Sequence, residues 1–363
     1  MVSAETLALA QAQALAFGAA SRRKSGVLSQ YQDRPVAYAF DVLRVRLTED
    51  QETTLESVRV NRRTIVKSSH SVGKTFVAAI AASWWFDCWP EHIGYITGPT
   101  WDQAKGLTFK QLKILRRANR LPGTILDTGI IRDASKQREG AHYIRALNAE
   151  KSEAFQGEHS APILIIIEEG VGVPHYIWQA SEGLMTLPEN RLFAIGNPTE
   201  EENDFGQAAE SSLWNTLSFS ALNHPNIEAE LQCDDPPYPA AVRLRWLYEM
   251  IEKECEQVGE MTEDHFEYWN LPAIKRTLEG EPLSASAEKW IYRPTAYFQG
   301  RVMGEFPTQA DQQVIPKAWL KFQPIVTALK GVPELGCDVA RFGDDRTTNI
   351  ARVGAVPSRV AQV

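Results

Sequence analysis

The sequence predicts an α/β layer structure, a mainly parallel sheet flanked by helices, followed by a helical linker or lid and a C-terminal β-hairpin. Three observations predict it. Between Asn61 and about Thr199 short apolar runs alternate with helix-like runs, as strands and crossover helices do. The run Ile163-Leu164-Ile165-Ile166-Ile167 is apolar without interruption, which suits a strand covered on both faces. And Val72-Gly73-Lys74-Thr75 stands between a strand-like and a helix-like run, the context a phosphate-binding loop requires.

In chain order, residues 1–45 read as an N-terminal helical segment, Ala-rich from Thr6 to Ala20. Its charges Arg22, Arg23 and Lys24 follow the apolar part instead of preceding it, the wrong order for a secretory signal. Residues 46–220 form the α/β core, with strands at Arg63 to Lys67, Ile93 to Thr97, Ile163 to Ile167 and Arg191 to Ile195, and a helix from Phe76 to Phe86. The acidic turn Glu200 to Asp204 and the Pro-rich stretch Asp234 to Pro239 mark the edge of that domain. Residues 221–330 make the linker or lid, helical from about Ala240 to Trp290. Residues 331–363 hold two strand signals, Leu335 to Ala340 and Arg346 to Val353, around the turn Arg341 to Asp345. A hairpin of that kind is marginal alone.

Bulk properties agree with a large soluble chain. At 363 residues it exceeds what one hydrophobic core usually supports, and hydrophobic and charged contents of 44% and 23% are those of a globular protein. The net charge of −8 excludes a protein coated in positive charge but is compatible with one local DNA-gripping groove. The four cysteines, Cys88, Cys233, Cys255 and Cys337, show neither C-x-x-C pairs nor zinc-like spacing, which points to a reducing cytoplasm. The longest apolar run, Val77 to Phe86, is interrupted by Ser83 and far shorter than the roughly 20 residues that span a bilayer, so no membrane association is expected.

Lys74 of the loop would neutralise charge on the β- and γ-phosphates, backbone N–H groups of Ser69, His70, Ser71, Val72 and Gly73 would face them, and the Thr75 hydroxyl would ligate Mg²⁺. The front of the loop departs from the standard pattern, with Ser68 where a glycine is usual. The strand Ile163 to Ile167 runs into Glu168-Glu169, an acid for the Mg²⁺ shell followed by a base that polarises the attacking water. Either motif alone could be an ordinary helix start or a strand ending in solvated acids; the two together, in one α/β domain, make a P-loop NTPase of the additional-strand, catalytic-glutamate type. Upstream, Gln51 is placed to read an adenine edge; a solvated helix-start glutamine is the other reading.

The segment Ser69-His70-Ser71-Val72-Gly73-Lys74-Thr75 resembles the glycine-poor phosphate loop of the large terminase subunits of tailed bacteriophages. Thr97-Gly98-Pro99-Thr100 with Gln103, Phe155-Gln156-Gly157-Glu158-His159, Ile195-Gly196-Asn197-Pro198-Thr199, Leu222-Asn223-His224-Pro225-Asn226, Gly304-Glu305-Phe306-Pro307, and Gly336 to Ala340 with Gly343 to Thr347 resemble later landmarks of that family in the same order, from Gln51 onward. The resemblance implies a viral DNA-packaging ATPase, a hydrolase that uses ATP and Mg²⁺ to translocate double-stranded DNA. It implies a homo-oligomeric ring that meets a portal protein on the procapsid and a small terminase subunit, in the cytoplasm of a bacterial host. Residue by residue it makes Lys74 and Thr75 the phosphate and Mg²⁺ ligands, Glu169 the base, and Asn197 and Thr199 the coupling residues that sense the γ-phosphate. Asp338 becomes the first ligand of a ribonuclease-H-like endonuclease that holds Mg²⁺ or Mn²⁺, and one aspartate cannot form that two-metal site, so this chain is expected not to cut DNA.

Two further sets follow from charge. Trp101 to Arg120 reads as one basic helical stretch in which Lys110, Lys113 and Arg117 share a face, with Lys105 nearby, either a DNA-tracking surface or a solvated face. Arg132, Arg138 and Arg145 are candidates for an arginine finger supplied to a neighbouring subunit. The alternatives to the motor are a superfamily 2-like helicase, which needs a second α/β domain, and a truncated prophage remnant acting as a DNA-binding or interaction protein.

Overall fold

Helices in this chain begin where local chemistry closes their first turn. Pro35 opens α1 (Pro35–Asp41), and Thr48 and Gln51 form a reciprocal capping box at α2 (Glu49–Val60), whose first turn also carries Glu49, Asp50 and Glu52 against the helix dipole. Next come β1 (Arg63–Ser68), α3 (Lys74–Cys88), β2 (His92–Thr97), α4 (Trp101–Gly106) and α5 (Thr108–Ala118). After these follow β3 (Thr124–Ile125), β4 (Gly129–Ile131), β5 (His142–Ala146), β6 (Ile163–Ile167), α6 (His175–Gly183), β7 (Arg191–Gly196), α7 (Asp204–Glu210) and β8 (Asn215–Phe219). The computed structural model describes residues 27–89, 91–127, 129–131, 142–147, 162–257, 271–278, 292–308, 333–338, 348–353 and 356–362. It divides into two compact units, Met1–Asp311 and Gln312–Val363.

In the first unit the eight strands form one sheet in the order β3-β4-β5-β2-β6-β7-β1-β8. From β5 to β8 the neighbours are parallel, while β3 and β4 add an antiparallel edge. Side chains of β6 explain its uninterrupted apolar run. Leu164 and Ile166 face one core with Val66, Ile96 and Phe193 and the apolar side chains of α3, whereas Ile163, Ile165 and Ile167 face a second core with Ile177 and Trp178 of α6 and Phe205 of α7. Helix α3 is buried on nearly every side, which fits its run of alanines, Ile80, Trp84, Trp85 and Phe86.

The anticipated strands are present, three of them longer by a residue. Strands β3, β4, β5 and β8 had no clear signal; β8, Asn215-Thr216-Leu217-Ser218-Phe219, is an edge strand whose polar positions mask its character. The basic stretch is corrected twice. It is two helices, broken at Leu107, and Arg116 lies fully buried in an ion pair with Asp87.

Residues after Phe219 pack α8 (Pro225–Leu231), α9 (Leu244–Glu254) and α10 (Leu271–Leu278) onto the same core as α3, through Ile227, Leu247, Ile251 and Ile274. Strands β9 (Cys255–Gln257) and β10 (Tyr292–Pro294) pair antiparallel, β9 falling where helix was expected. After a single turn at Ala296–Phe298, residues Gln299–Met303 make a π-helical turn ending at Gly304.

In the second unit β11 (Pro333–Asp338), β12 (Thr348–Val353) and β13 (Val356–Gln362) form an antiparallel sheet. The expected hairpin is there with a third strand added, and Asp338 pairs with Thr348 across it. Among the described residues no helix is long and apolar enough to cross a membrane.

Candidate nucleotide site

Strands β6, β7 and β1 are neighbours and parallel, so the loops that leave their C-terminal ends open side by side, the usual place for a ligand on such a sheet. Three sequence motifs that lie far apart in the chain meet there. The loop after β1 turns through left-handed conformations at Ser71 (φ 58°) and Gly73 (φ 90°), and a β-carbon on Gly73 would stand 2.3 Å from Gln51 Nε2. Only glycine combines that torsion with that approach. Buried Val72 anchors the loop.

Lys74, 8% exposed, donates from Nζ to Asn197 Oδ1 at 3.1 Å and lies 3.3 Å from Glu169 Oε1. The Thr75 hydroxyl donates to Glu168 Oε1 at 2.7 Å. Glu168 is fully buried, and burial pushes its carboxyl up to about 7 against the opposing pull of the Thr75 hydrogen bond and the Lys74 charge. Its Oε2 has no hydrogen-bond partner among the described residues. Glu169 follows in the left-handed region at φ 50°, turning it away from the strand direction toward Lys74. Asn197 also donates to the Ser68 carbonyl, tying the loop after β7 to the end of β1, and Thr199 N donates to Asn197 O at 2.8 Å. The Thr97 carbonyl accepts from Glu168 N at 2.8 Å, so the motif after β2 braces the acidic pair.

The front of the phosphate loop is held from the far end of the chain. Ser69 N donates to Phe219 O at 2.9 Å and His70 N to Arg301 O at 2.8 Å. Arg301 Nη1 lies 2.9 Å from His70 Nε2, which makes the imidazole the acceptor. Burial, Lys74 and Arg301 lower the His70 pKa against an opposing pull from Glu169, consistent with a neutral ring.

A cavity of about 610 Å³ opens beside the loop, between Val45, Arg46, Thr48 and Gln51 on one side and Pro237 to Ala241 on the other, with Phe76, Gln111 and His224. Gln51 is buried, not solvated: its side chain closes the capping box and donates to Gly73 O at 3.4 Å. The Pro-rich stretch, read from the sequence as a domain edge, forms a wall of this cavity. Buried Asn226 fixes it by bonding both backbone groups of Tyr238, at 2.7 and 2.9 Å, and Val242 O at 3.0 Å, while Val242 N donates to Ser71 O and the Tyr238 hydroxyl to Leu47 O. Arg46, Gln111 and the wall escaped sequence reasoning; the rigid Pro237-Tyr238-Pro239 was the one available signal.

Other expected residues fall elsewhere. Lys110 and Arg117 are exposed on α5, and Lys113 stacks on the Phe109 ring; the side chain of Lys105 is outside the described residues. Arg145 lies on β5 over the rings of Tyr95 and Tyr143, at 5.4 and 5.0 Å. Arg132, Arg138 and Phe155 to His159 lie outside the described residues, as does the Asp338 side chain. Among the described residues no group of three or more His, Cys, Asp or Glu side chains could hold a metal.

The large terminase ATPase domain of Thermus phage P74-26 aligns over 60% of this chain and 92% of that one, at 16% identity and a TM-score of 0.45. The large terminase of another thermophilic bacteriophage, in complex with ADP, aligns over 88% and 68%, at 12% and 0.44. The UvsW helicase of bacteriophage T4 aligns over 48% and 60%, at 13% and 0.32. No protein-family model and no curated protein matches the chain.

Proposed function

We propose that this chain is an ATPase motor subunit of the large terminase type, which hydrolyses ATP to move double-stranded viral DNA into a procapsid. One observation carries the reading: Lys74, Thr75, Glu168, Glu169 and Asn197, drawn from three motifs, form one contact network at the ends of three adjacent strands. Each has work in hydrolysis. Lys74 would exchange Asn197 and Glu169 for the β- and γ-phosphates, backbone N–H groups at the start of α3 would cradle them, and Gln51 with the Pro237 to Ala241 wall would hold the base. Released from Lys74, Glu169 would take a proton from the attacking water.

The donor set suits Mg²⁺: a hydroxyl and a carboxylate 2.7 Å apart, with one buried carboxylate oxygen that has no partner among the described residues, are hard oxygen ligands. Thr75 and Glu168 would hold the ion, which when bound neutralises charge on the phosphates. Asn197, between Lys74 and the Ser68 carbonyl, would register the loss of the γ-phosphate and pass it to Thr199. Lys110, Lys113 and Arg117 would track the DNA backbone, and a ring of subunits would receive a finger from Arg132, Arg138 or Arg145. The portal protein and the small terminase subunit are the partners this reading requires, in the bacterial host cytoplasm.

A helicase is the nearest rival. Among the described residues beyond Phe219 the strands pair only antiparallel, so they contribute no second parallel sheet. The test is DNA-stimulated ATP hydrolysis by the wild type, Lys74→Ala and Glu169→Gln, with a forked duplex alongside. Hydrolysis lost in both variants, with ATP binding retained in Glu169→Gln and the fork left paired, is the expected result. Hydrolysis independent of Lys74 would sink the motor, and strand separation would favour the helicase.

A further inference from the structure

The residues that press on the front of the phosphate loop belong to the π-helical turn Gln299–Met303. Such turns cost hydrogen-bond geometry and recur at functional positions. This one is packed against two parts of the site at once. A β-carbon on Gly300 would meet Pro198 O at 2.9 Å and Thr199 Cα at 3.3 Å, and one on Gly304 would meet Phe219 O at 2.5 Å and Ser69 N at 3.3 Å. The turn therefore touches the coupling motif with one glycine and the phosphate loop with the other, and between them it carries Arg301.

The surroundings of Arg301 are unusual for a guanidinium. It is partly buried, its Nη1 donates to the His70 ring, and its carbon centre lies 5.3 Å from the Tyr297 ring centroid. No carboxylate among the described residues lies within ion-pair distance of it. A neutral imidazole is a weak partner for a cation, and Arg is a residue built to receive two oxygens of a phosphate or carboxylate. The His70 ring that holds it lies within electrostatic reach of both Lys74 and Glu169. A second cation is thus held beside the front of the phosphate loop, with an acceptor it can leave at little cost.

We propose that Arg301 is a catalytic residue of the same site: on binding of a nucleoside triphosphate its guanidinium leaves His70 for the terminal phosphate held by Lys74 of the same chain. There it would stabilise the charge that develops on the transferred phosphoryl group. Because Gly300 abuts Thr199, the same movement would carry the state of the γ-phosphate into the coupling motif. The proposal rests on the ATPase reading above and adds to it an arginine supplied within the subunit, distinct from Arg132, Arg138 and Arg145.

The experiment uses the full chain and three variants, Arg301→Ala, Arg301→Gln, which keeps a donor for His70 without the charge, and Arg301→Lys. Dissociation constants for ATP-γ-S and ADP, kcat, and melting temperature are measured for each. The Ala and Gln variants are expected to lose the preference for ATP-γ-S over ADP while ADP affinity stays within about threefold, and kcat is expected to fall roughly 100-fold or more. The Lys variant should recover part of both. Mixing Arg301→Ala with Lys74→Ala chains, which carry an intact Arg301, should restore nothing. Unchanged discrimination and kcat, an equal loss of ADP and ATP-γ-S affinity, or restored turnover in the mixture would each overturn the proposal. If the wild type shows no Lys74-dependent hydrolysis the ATPase reading fails, and the ratio of the two affinities still decides on Arg301.

Discussion

Replacing Arg116 by methionine should destabilise the first unit by about 3–5 kcal/mol, the cost of breaking a buried ion pair from one side. The size follows from what the side chain holds. Arg116 and Asp87 are both wholly inaccessible, joined by two bonds at 3.0 and 3.1 Å. Arg116 also donates to Ser83 Oγ at 2.9 Å and to the Pro122 carbonyl, and its guanidinium stacks 4.5 Å from the Phe86 ring centroid. Tyr38 donates to the same carboxylate from α1. Methionine keeps the volume and removes the counter-charge, so Asp87 remains buried with its charge uncompensated. The double variant Asp87→Leu/Arg116→Met should regain at least about 2 kcal/mol, because an apolar pair of similar size carries no desolvated charge. Urea unfolding of the wild type, both singles and the double at pH 7.5 measures all of this. A single variant within about 1 kcal/mol of wild type, or a double no better than the Arg116 single, would refute the argument. The pair matters because it fixes α5, with Lys110, Lys113 and Arg117, to α3, whose first residue is Lys74.

Two more predictions follow from buried backbone and ring environments. Burial pushes the pKa of His224 down to about 4, so the unfolded chain takes up its proton first; stability should fall as pH drops from about 6.5 to 4 and level off below. His224→Asn, which keeps an N-cap acceptor for Asn226 N, should remove about 1–2 kcal/mol of that loss in urea titrations, once solvent reaching the ring through the cavity is allowed for, and an unchanged pH slope would contradict it. Gly304→Ala forces a side chain into φ 72° with its β-carbon 2.5 Å from Phe219 O, and should cost about 2 kcal/mol or more, seen as a lower melting temperature; a neutral substitution would show that the turn can shift.

Much of the site was legible because its chemistry is local. Gly73 needs a positive φ, Lys74 and Thr75 need a helix start, and Glu168 and Glu169 need the end of an apolar strand; each requirement is written within a few residues. The core of the sheet was legible for the same reason, since doubly buried strands are apolar along their whole length. What eluded sequence reasoning was set by long-range packing. Arg116 reads as one more lysine-like charge in a basic stretch, and only the approach of Asp87 from α3 makes it a core residue. The Pro-rich stretch reads as a boundary, and only Asn226 and Ser71 make it a wall of the cavity.

By itself the sequence determined the layered α/β plan, the phosphate loop between strand and helix, and the acidic pair at the end of an apolar strand, because those depend on periodicity and on residue types at short spacing. The tertiary structure alone decided which strands are neighbours, and so that Lys74 meets Asn197 and Glu169. It also decided that Arg301, more than 200 positions from His70, stands beside it. Contacts across such separations carry no local pattern, since they come from the order in which buried faces stack and from the polar groups that stacking obliges to pair.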